Sequence, residues 1–244
     1  MELAGQVAIV TGSSSGIGRA IAETLASRKV SVIVNSSKSP DQGLVVADSL
    51  QGASYFQGSV TDDNFGPDIV QFALRRYGRL DILVNNAGTT RIISHADLEG
   101  ATTEIWREIF EVNVFGAWSV IRAASAALED SGGGQILNIT SLAGIRQTGS
   151  SIPYATSKAA LNHLTQLLAL ALAPKIRVNA VAPGLVDTAW TKDWHDIRNN
   201  YSKTAPLQRS ATTRDVADSA LQIMENPYLT GTILCLDGGM SLKR

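Results

Sequence analysis

Short apolar runs alternate with longer amphipathic segments along the whole chain. The runs are rich in valine and isoleucine, which is typical of strands that are buried on both faces of a parallel sheet. They span residues 7–10, 31–34, 81–86, 134–140, 176–183 and 232–238. The segments between them repeat their apolar positions with a helical period and span residues 18–28, 62–78, 102–128, 154–172 and 213–226. Strand and helix are thus predicted to alternate from one end of the chain to the other.

This alternation predicts an α/β fold in which a doubly wound parallel sheet of about seven strands carries helices on both faces, because right-handed crossovers place the helices there. A chain of 244 residues could form one large domain or two small ones. No repeat, low-complexity tract or linker interrupts the pattern. We therefore interpret residues 1–244 as a single domain.

One segment departs from the alternation. Between Thr188 and Pro206 the chain is polar, carries Trp190, Trp194 and His195, and shows no strand pattern. Long loops without a regular pattern often cover binding sites. We therefore expect a substrate lid over about residues 188–210.

Composition and charge exclude several kinds of partner. The net charge of -1 gives no basic field for nucleic acid, and no apolar run approaches the roughly 20 residues that span a membrane. The N-terminal residues do not resemble a signal peptide, and the single Cys235 cannot form an internal disulfide, so a cytoplasmic location is expected. The three histidines lie far apart in the sequence and form no metal-ligand spacing, so no metal site is expected.

A glycine-rich turn stands between the first predicted strand and the first predicted helix. It reads "TGSSSGIG" and contains Gly12, Gly16 and Gly18. Glycines in this position permit a tight turn and a close approach of the backbone to a pyrophosphate, whose charge a helix N-terminus favours. An ordinary glycine-rich turn is the alternative, but the strand before and the helix after favour a dinucleotide site.

A second candidate site contains Ser141, Tyr154 and Lys158. Tyr154 and Lys158 are four residues apart in a helical segment, so they lie on one helix face. A free phenol loses its proton near pH 10, and a neighbouring ammonium is expected to lower that pKa toward a value useful for proton transfer. Ser141 ends a strand at the carboxyl edge of the sheet, where such folds bind ligands. A capping serine and a surface helix pair are the alternative interpretation, and "ITSLAG" lacks the elbow of a nucleophilic serine.

Several motifs, taken in order, resemble the short-chain dehydrogenase/reductase family, in particular its 3-oxoacyl-ACP-reductase-like and glucose-dehydrogenase-like branch. They are "TGSSSGIG", "NNAG" at 85–88, Asn113, Ser141, the Tyr154-x-x-x-Lys158 pair, "PGLVDT" at 183–188 and "TGTILCLDGG" at 230–239. The resemblance covers nearly the whole chain. It implies a Rossmann-type fold and an NAD(P)(H)-dependent enzyme that interconverts a ketone or aldehyde and an alcohol by hydride transfer.

The resemblance also implies a role for each of four residues. Tyr154 would donate a proton to the carbonyl oxygen in reduction, and Ser141 would hold that oxygen by a hydrogen bond. Lys158 would bind the nicotinamide ribose hydroxyls and lower the pKa of Tyr154. Asn113 would hold a water that links Lys158 to solvent, although an asparagine within a helix, taken alone, could equally be a packing residue.

The cofactor-binding residues implied by the resemblance follow the predicted strands. They are Gly12, Ser14, Ser15, Gly16, Ile17, Gly18, Asn35, Ser36, Ser37, Lys38, Ser59, Val60, Asn86, Ala87, Gly88, Tyr154, Lys158, Pro183, Gly184, Val186 and Thr188.

The second strand decides between the two nicotinamide cofactors. No carboxylate stands at Ser36, where an NAD-specific member would carry one, and hydroxyls with Lys38 suit a phosphate. NADP(H) is therefore the preferred cofactor, with NAD(H) possible. Relatives that prefer NADPH usually carry a basic residue at Ser37 or Ser15, and relatives in general carry an aspartate at Ser59 for the adenine; all three are serine here.

The predicted substrate pocket is mostly apolar. Its contacts are expected to be Ser141 and Tyr154, Arg146 as the charged contact, and Trp190 and Trp194, which could share a helix face. The resemblance further implies a homo-oligomer, a tetramer or a dimer, built on the helices at 102–128 and 154–172. The functional alternatives are an NAD-linked sugar, steroid or alcohol dehydrogenase and a non-catalytic dinucleotide-binding regulator.

Overall fold

A computed structural model describes residues 2–242 of the chain. The strands are β1 (Val7–Val10), β2 (Ser31–Ser36), β3 (Ser54–Gln57), β4 (Ile82–Asn85), β5 (Gly134–Ile139), β6 (Ile176–Pro183), β7 (Val186–Asp187), β8 (Ala211–Thr212) and β9 (Ile233–Leu236). Seven of them form one parallel sheet in the order β3-β2-β1-β4-β5-β6-β9. The predicted Rossmann-type sheet is confirmed.

Helices cover both faces of this sheet. The α-helices within residues 2–242 are α1 (Gly16–Ser27), α2 (Pro40–Ser49), α3 (Phe65–Tyr77), α4 (Thr103–Phe110), α5 (Ala117–Asp130), α6 (Ile152–Leu172), α7 (His195–Thr204) and α8 (Thr213–Glu225). Because side chains alternate along a strand, Ala8 and Val10 of β1 join the apolar layer under α1 and α8, whereas Val7 and Ile9 join the layer under α3 and α5. Both faces of the central strands are therefore buried, as the apolar runs predict, whereas β9, at the edge of the sheet, is only half-buried.

Three details differ from the sequence pattern. The pattern does not reveal β3 or α2, which lie at the sheet edge, and it merges α4 and α5 into one helix. A π-helical segment, Glu111–Gly116, separates these two helices. The predicted lid contains the helix α7, and it is bracketed by the short parallel pair of β7 and β8. The lid thus leaves and rejoins the body at one point.

The sheet places its carboxyl ends side by side. The glycine turn follows β1, the segment "NAG" follows β4, Ser141 follows β5, and the lid follows β6. The strand order reverses between β1 and β4, which is where open α/β sheets form a ligand crevice. Among residues 2–242 no helix is both long enough and apolar enough to cross a membrane.

Candidate active site

The glycine turn packs directly against the loop that follows β4. A Cβ atom on Gly12, whose φ is +64°, would lie 3.1 Å from the Cα of Ala87. A Cβ atom on Gly18 would collide with the side-chain amide of Asn86 and lie 2.5 Å from the carbonyl oxygen of Gly12. The Asn86 amide donates hydrogen bonds to the carbonyl oxygens of Thr11 (2.9 Å) and Gly12 (3.0 Å). Glycine is needed at positions 12 and 18 because backbone atoms and the side-chain amide of Asn86 occupy the space that a Cβ atom would take.

The N-terminus of α1 opens toward the cleft beside this turn. Ser15, the residue that precedes the helix, makes no side-chain hydrogen bond to it. Across the turn, the methyl group of Thr188 would lie 3.7 Å from a Cβ on Gly16. Exposed N–H groups at a helix N-terminus favour phosphate. The uncapped helix and the space kept by the glycines fit the pyrophosphate of a dinucleotide. Ser14 is buried within the turn, and Ile17 packs toward the core.

Asn35 braces the turn from the end of β2. It is buried, and its side-chain oxygen accepts a hydrogen bond from the Gly12 N–H at 3.1 Å. Its amide nitrogen donates to the carbonyl oxygens of Phe56 and Gly58, both at 3.1 Å. The polar groups of the Asn35 side chain are thus used by the protein, and any contribution to cofactor binding is through the shape that it gives the turn.

The three residues after Asn35 differ in burial, because Ser36 is buried and the two that follow it are not. The Ser36 hydroxyl donates to the carbonyl oxygen of Ser39 at 2.9 Å and lies 2.8 Å from the Tyr55 hydroxyl. Ser37 and Lys38 are exposed. Lys38 therefore carries the accessible positive charge at this edge of the cleft.

Ser59 and Val60 follow β3 at the carboxyl edge of the sheet. The Ser59 N–H donates to the Asp62 carboxylate at 3.1 Å, and the Ser59 hydroxyl lies 2.8 Å from that of Thr61. Val60 is buried against Gly116, where a Cβ would come within 2.7 Å of its side chain. Val60 thus contacts the π-helical segment.

Ser141 and Tyr154 meet at the carboxyl end of β5. The Ser141 hydroxyl accepts a hydrogen bond from the Ala143 N–H at 3.1 Å, which fixes the short helical turn after the strand. Helix α6 begins at Ile152, and its N-cap Ser151 accepts from the Tyr154 N–H at 3.3 Å. Burial raises the pKa of the Tyr154 phenol, while its hydrogen bond with Ser141 acts in the opposite direction.

Lys158 lies one helical turn beyond Tyr154 and is almost fully buried, with 4% of its surface exposed. Its Nζ donates to the carbonyl oxygen of Ile139 at 2.9 Å and lies 5.8 Å from the centre of the Tyr154 ring. Burial lowers the pKa of Lys158 to about 8. The expected lowering of the Tyr154 pKa is therefore wrong for the chain alone. Desolvation of the phenol, which raises its pKa, outweighs the opposing hydrogen bond with Ser141. The Lys158 ammonium binds the Ile139 carbonyl rather than the phenol oxygen.

Asn113 stands in the π-helical segment and is buried. Its side-chain oxygen accepts from the Thr89 N–H at 2.8 Å, and its amide nitrogen donates to the Thr89 carbonyl (3.0 Å) and the Ser157 hydroxyl (2.9 Å). A Cβ on Gly88 would lie 3.3 Å from the Asn113 oxygen and 3.6 Å from the Lys158 Nζ. The structure thus brings Gly88, Asn113 and Lys158 close together beside Tyr154. Both donor positions of the Asn113 amide nitrogen are used by protein groups, so Asn113 could hold a water only through an acceptor or through its main chain.

Sequence reasoning did not assign the positioning role that three residues have in this site. Thr89 and Ser157 hold Asn113, and the Thr11 hydroxyl accepts from the N–H groups of Asn86 and Ala87 at 3.0 and 3.1 Å. Thr11 lies within the quoted glycine motif, so the motif itself was a signal. For Thr89 and Ser157 no local pattern exists, because each contact joins distant parts of the chain.

The lid is anchored at its middle. Tyr201 of α7 is buried, packs against Gly184, and donates a hydrogen bond to the Asp237 carbonyl oxygen at 2.7 Å. Burial is the main reason that its pKa rises to about 12. Arg198 forms an ion pair with Asp187 at 2.8 Å near the base of the lid. Pro183 and Val186 are buried where the chain leaves β6.

The two lid tryptophans do not share a helix face. Trp190 lies in a short 3₁₀ turn and is 51% exposed, whereas Trp194 precedes the first residue of α7. The capping box of Thr188 and Thr191 begins this 3₁₀ turn, which ends at Thr191, and α7 begins only at His195, so no helix runs through both tryptophans. Arg146 is exposed in the loop beyond Ser141. Within residues 2–242, no group of three histidine, cysteine or acidic side chains could hold a metal ion.

Known proteins resemble this chain over nearly its whole length. A family model described as enoyl-(acyl carrier protein) reductase matches residues 12–241. A Streptomyces violaceoruber protein named as ketoacyl reductase 2 of the granaticin polyketide synthase is 46% identical over 97% of this chain and 96% of its own. Glucose 1-dehydrogenase 2 of Bacillus subtilis is 34% identical over 99% and 96%.

A solved structure agrees with the fold. The crystal structure of a Burkholderia xenovorans protein described as a short-chain dehydrogenase/reductase superposes with a TM-score of 0.92. It is 34% identical in sequence, and the match covers 98% of both chains. Fold and sequence therefore point to the same group of proteins.

Proposed function

The chain belongs to the short-chain dehydrogenase/reductase family of oxidoreductases, which bind nicotinamide dinucleotides, and from this premise we propose that it is a single-domain, NADPH-dependent carbonyl reductase. Its substrate would be a ketone of the 3-oxoacyl type, and its product the secondary alcohol. The observation that carries this proposal is the meeting of the Ser141 and Tyr154 hydroxyls at the end of β5, with the buried Lys158 beside them.

The chemistry divides between cofactor and protein. NADPH, when bound, supplies the hydride that the carbonyl carbon receives. The Ser141 hydroxyl donates a hydrogen bond to the carbonyl oxygen, and Tyr154 gives that oxygen its phenolic proton, which completes the alcohol. A phenol whose pKa is raised by burial is protonated at neutral pH, as an acid must be before it reacts.

The other residues of the site bind and position. The glycine turn and the α1 N-terminus would hold the pyrophosphate, and the loop from Asn86 to Gly88 would line the path toward the nicotinamide. Lys158 would bind the ribose hydroxyls with the ammonium that now contacts Ile139. The proton that Tyr154 gives up would be replaced through Lys158 and the main chain of Asn113.

NADPH is preferred over NADH because of the residues after β2. Ser36 offers no carboxylate that would repel a 2′-phosphate, and its hydroxyl contacts Ser39 and Tyr55. The exposed Lys38 then provides the charge that attracts the phosphate. A Lys38→Ala variant should lose affinity for NADPH about tenfold while its affinity for NADH stays unchanged.

The ketone substrate is supported by the similarity to a ketoacyl reductase. The test must also include two other reactions. The family model's description names an enoyl reductase, and another relative is a glucose dehydrogenase. A hydrogen-bonding serine next to the acid suits a carbonyl oxygen that becomes a hydroxyl, which favours ketone reduction over the reduction of a carbon–carbon double bond.

The deciding experiment measures loss of NADPH and of NADH with acetoacetyl and crotonyl thioesters and with neutral ketones, and oxidation of glucose in reverse. We expect turnover of the ketones with NADPH. Turnover of the crotonyl thioester alone would assign enoyl reduction. Cofactor binding without any turnover would support the non-catalytic regulator.

A homo-oligomer in the cytoplasm completes the proposal. Exposed apolar side chains stand near the start of α5, where Phe115 is 53% and Trp118 43% exposed, and on α6, where Leu170 is 82% exposed. Such faces are typical of subunit contacts. Light scattering should therefore give the mass of a dimer or tetramer, and a Leu170→Glu variant should shift it toward the monomer.

A further inference from the structure

The chain that follows β2 is held by side chains of the neighbouring edge strand, β3. We call residues 36–39 the β2 loop; it begins at the last residue of β2 and carries the exposed Lys38. The two strands pair in parallel, with Ser36 opposite Gln57. Tyr55 and Gln57 are two residues apart in β3, so they point to the same face of the sheet. Both side chains reach the β2 loop.

The Tyr55 hydroxyl binds the start of this loop. The Ser36 hydroxyl donates to the Ser39 carbonyl oxygen at 2.9 Å and lies 2.8 Å from the Tyr55 hydroxyl. Because a serine hydroxyl has only one hydrogen to donate, Tyr55 is the donor in the second contact. The Gln57 amide nitrogen donates to the Ser37 carbonyl oxygen at 3.4 Å. Tyr55 thus fixes the hydroxyl that closes the loop.

These contacts prevent Ser36 from donating to a phosphate. Ser36 is 5% exposed, and its one donor hydrogen is used by Ser39. A phosphate group has strong acceptor oxygens and binds through groups that donate to them. Selectivity for a 2′-phosphate would therefore depend on Lys38, and the position of Lys38 depends on the β2 loop.

The Tyr55 ring supports the other end of the loop. Helix α2 begins at Pro40, directly after the loop, and the Gly43 N–H donates to the Ser39 carbonyl oxygen at 3.0 Å. A Cβ atom on Gly43 would collide with the Tyr55 ring, so glycine lets the helix lie directly on that ring. The hydroxyl of Tyr55 thus holds the start of the β2 loop, and its ring holds the helix into which the loop runs.

We propose that Tyr55 is a positioning residue for cofactor selection: its hydroxyl holds the β2 loop in the conformation in which Lys38 binds the 2′-phosphate of NADPH. Tyr55 itself would not touch the cofactor. Without its hydroxyl the loop would have to be ordered when the phosphate binds, which costs affinity. NADH has no 2′-phosphate, so its affinity should not depend on this contact. The inference rests on the proposed preference for NADPH.

The test measures the binding of two cofactor fragments by calorimetry. Adenosine 2′,5′-bisphosphate carries the 2′-phosphate, and adenosine 5′-monophosphate lacks it. In Tyr55→Phe the ring stays on Gly43 and only the hydroxyl is lost. We expect the bisphosphate to bind about fivefold more weakly and the monophosphate to stay within about twofold.

Tyr77→Phe is the matched control. The Tyr77 hydroxyl lies 2.7 Å from the Ser54 hydroxyl at the amino end of β3, away from the cleft, and donates to the Gly52 carbonyl oxygen at 2.9 Å. Both tyrosines are half-buried, and each contacts a serine hydroxyl. The control loses a hydrogen bond of the same kind, so a general loss of stability would affect both variants. Tyr77→Phe should change neither affinity.

Two further variants test whether Tyr55 acts through the loop. Ser36→Ala removes the acceptor of the Tyr55 hydroxyl and should weaken bisphosphate binding as Tyr55→Phe does. Tyr55→Phe combined with Lys38→Ala should bind the bisphosphate no more weakly than Lys38→Ala alone, because the loop then carries no charge to position.

Several results would overturn the role of Tyr55: an unchanged preference for the bisphosphate in Tyr55→Phe, equal losses on both fragments, or an equal loss in Tyr77→Phe. A loss in Ser36→Ala alone would make Ser36 a direct ligand and would also overturn it. In these cases the wild-type preference for the bisphosphate, and with it the proposed preference for NADPH, still stands. If the wild type binds both fragments equally, both proposals fall. If no ketone is reduced but the fragments bind as expected, carbonyl reduction fails and the role of Tyr55 stands.

Discussion

The two sides of the cleft are held together in different ways. On the cofactor side, Asn35 and Asn86 donate their side-chain amides to backbone groups of neighbouring loops, and glycines leave the space that these contacts require. On the substrate side, Ile92, Trp190 and Ile197 are exposed. The comparison suggests that the cofactor side is complete before binding, whereas the substrate side gains its apolar contacts only from a ligand.

Tyr154 stands at the junction of the two sides, and its replacement tests both at once. In Tyr154→Phe the phenolic proton is gone, so we expect kcat to fall about a thousandfold. The glycine turn and the hydrogen bonds of Asn35 and Asn86 are untouched, so the dissociation constant for NADPH should stay within about twofold.

The matched control is Tyr228→Phe, since Tyr228 is 97% exposed and its hydroxyl has no place in the mechanism. Kinetics and fluorescence titration give both quantities. A loss of activity below about tenfold would remove Tyr154 as the acid.

Lys158 makes the cofactor side sensitive to pH. Its pKa falls from 10.5 in the unfolded chain to about 8 in the folded one, so the unfolded state binds more protons between these values and stability rises with pH. In Lys158→Met the cost of burying the charge is absent. At pH 7 the variant should therefore be more stable than the wild type by up to about 3 kcal/mol, at about 1.4 kcal/mol per pKa unit.

We expect the stability difference between Lys158→Met and the wild type to shrink between pH 8 and 10.5. Urea denaturation at a series of pH values measures this difference. Lys203→Met, at an exposed position on α7, is the control and should show no such trend. A difference that stays constant over this window would mean that the ammonium is not destabilised by burial.

Gly18 tests whether the cofactor side is as tightly filled as described. In Gly18→Ala the new methyl group meets the Asn86 amide and the Gly12 carbonyl, so we expect a loss of about 2 kcal/mol in the free energy of unfolding and weaker NADPH binding.

Gly100→Ala is the matched control, because its neighbour is the carboxylate of Asp97, an exposed side chain whose only constraint among the described residues is a solvent-exposed hydrogen bond from the Gly100 N–H at 2.8 Å. It should change stability by less than about 0.5 kcal/mol. Equal losses in the two variants would contradict the packing argument.

Tyr201 tests the anchor of the lid, and the smallest effect is expected here. Tyr201→Phe removes a buried hydrogen bond to the Asp237 carbonyl, which should cost about 1 kcal/mol in unfolding free energy. Because the lid carries Ile197, the KM for an extended ketone should rise a few-fold while cofactor affinity stays unchanged. If NADPH affinity falls instead, the two sides are not independent. Tyr228→Phe again serves as the control.

The core strands were predictable because they are buried on both faces and so read as unbroken apolar runs. The edge was not. In α2 the buried Val46 and Ala47 stand beside the exposed Leu44 and Val45, which obscures the helical period, and β3 is short and half-buried. The π-helical segment changes hydrogen bonding without changing the apolar pattern, so one helix was expected where two stand.

For the site, too, only features with a local sequence pattern could be predicted. Tyr154 and Lys158 were predictable because their spacing is local, and Ser141 because strand ends meet at one sheet edge. The contacts of Asn113 with Thr89 and Ser157 join segments far apart in sequence. The direction of the Tyr154 pKa depends on burial, which spacing alone does not give.

The most direct test of the central claim follows one atom. The wild-type protein is given NADPH that carries deuterium at the transferred position of the nicotinamide, together with an acetoacetyl thioester, and the product is examined by mass spectrometry and NMR. We predict a secondary alcohol with one deuterium on the carbinol carbon. An unlabelled alcohol, or unchanged ketone in the presence of bound cofactor, would contradict the assignment of this chain as a carbonyl reductase.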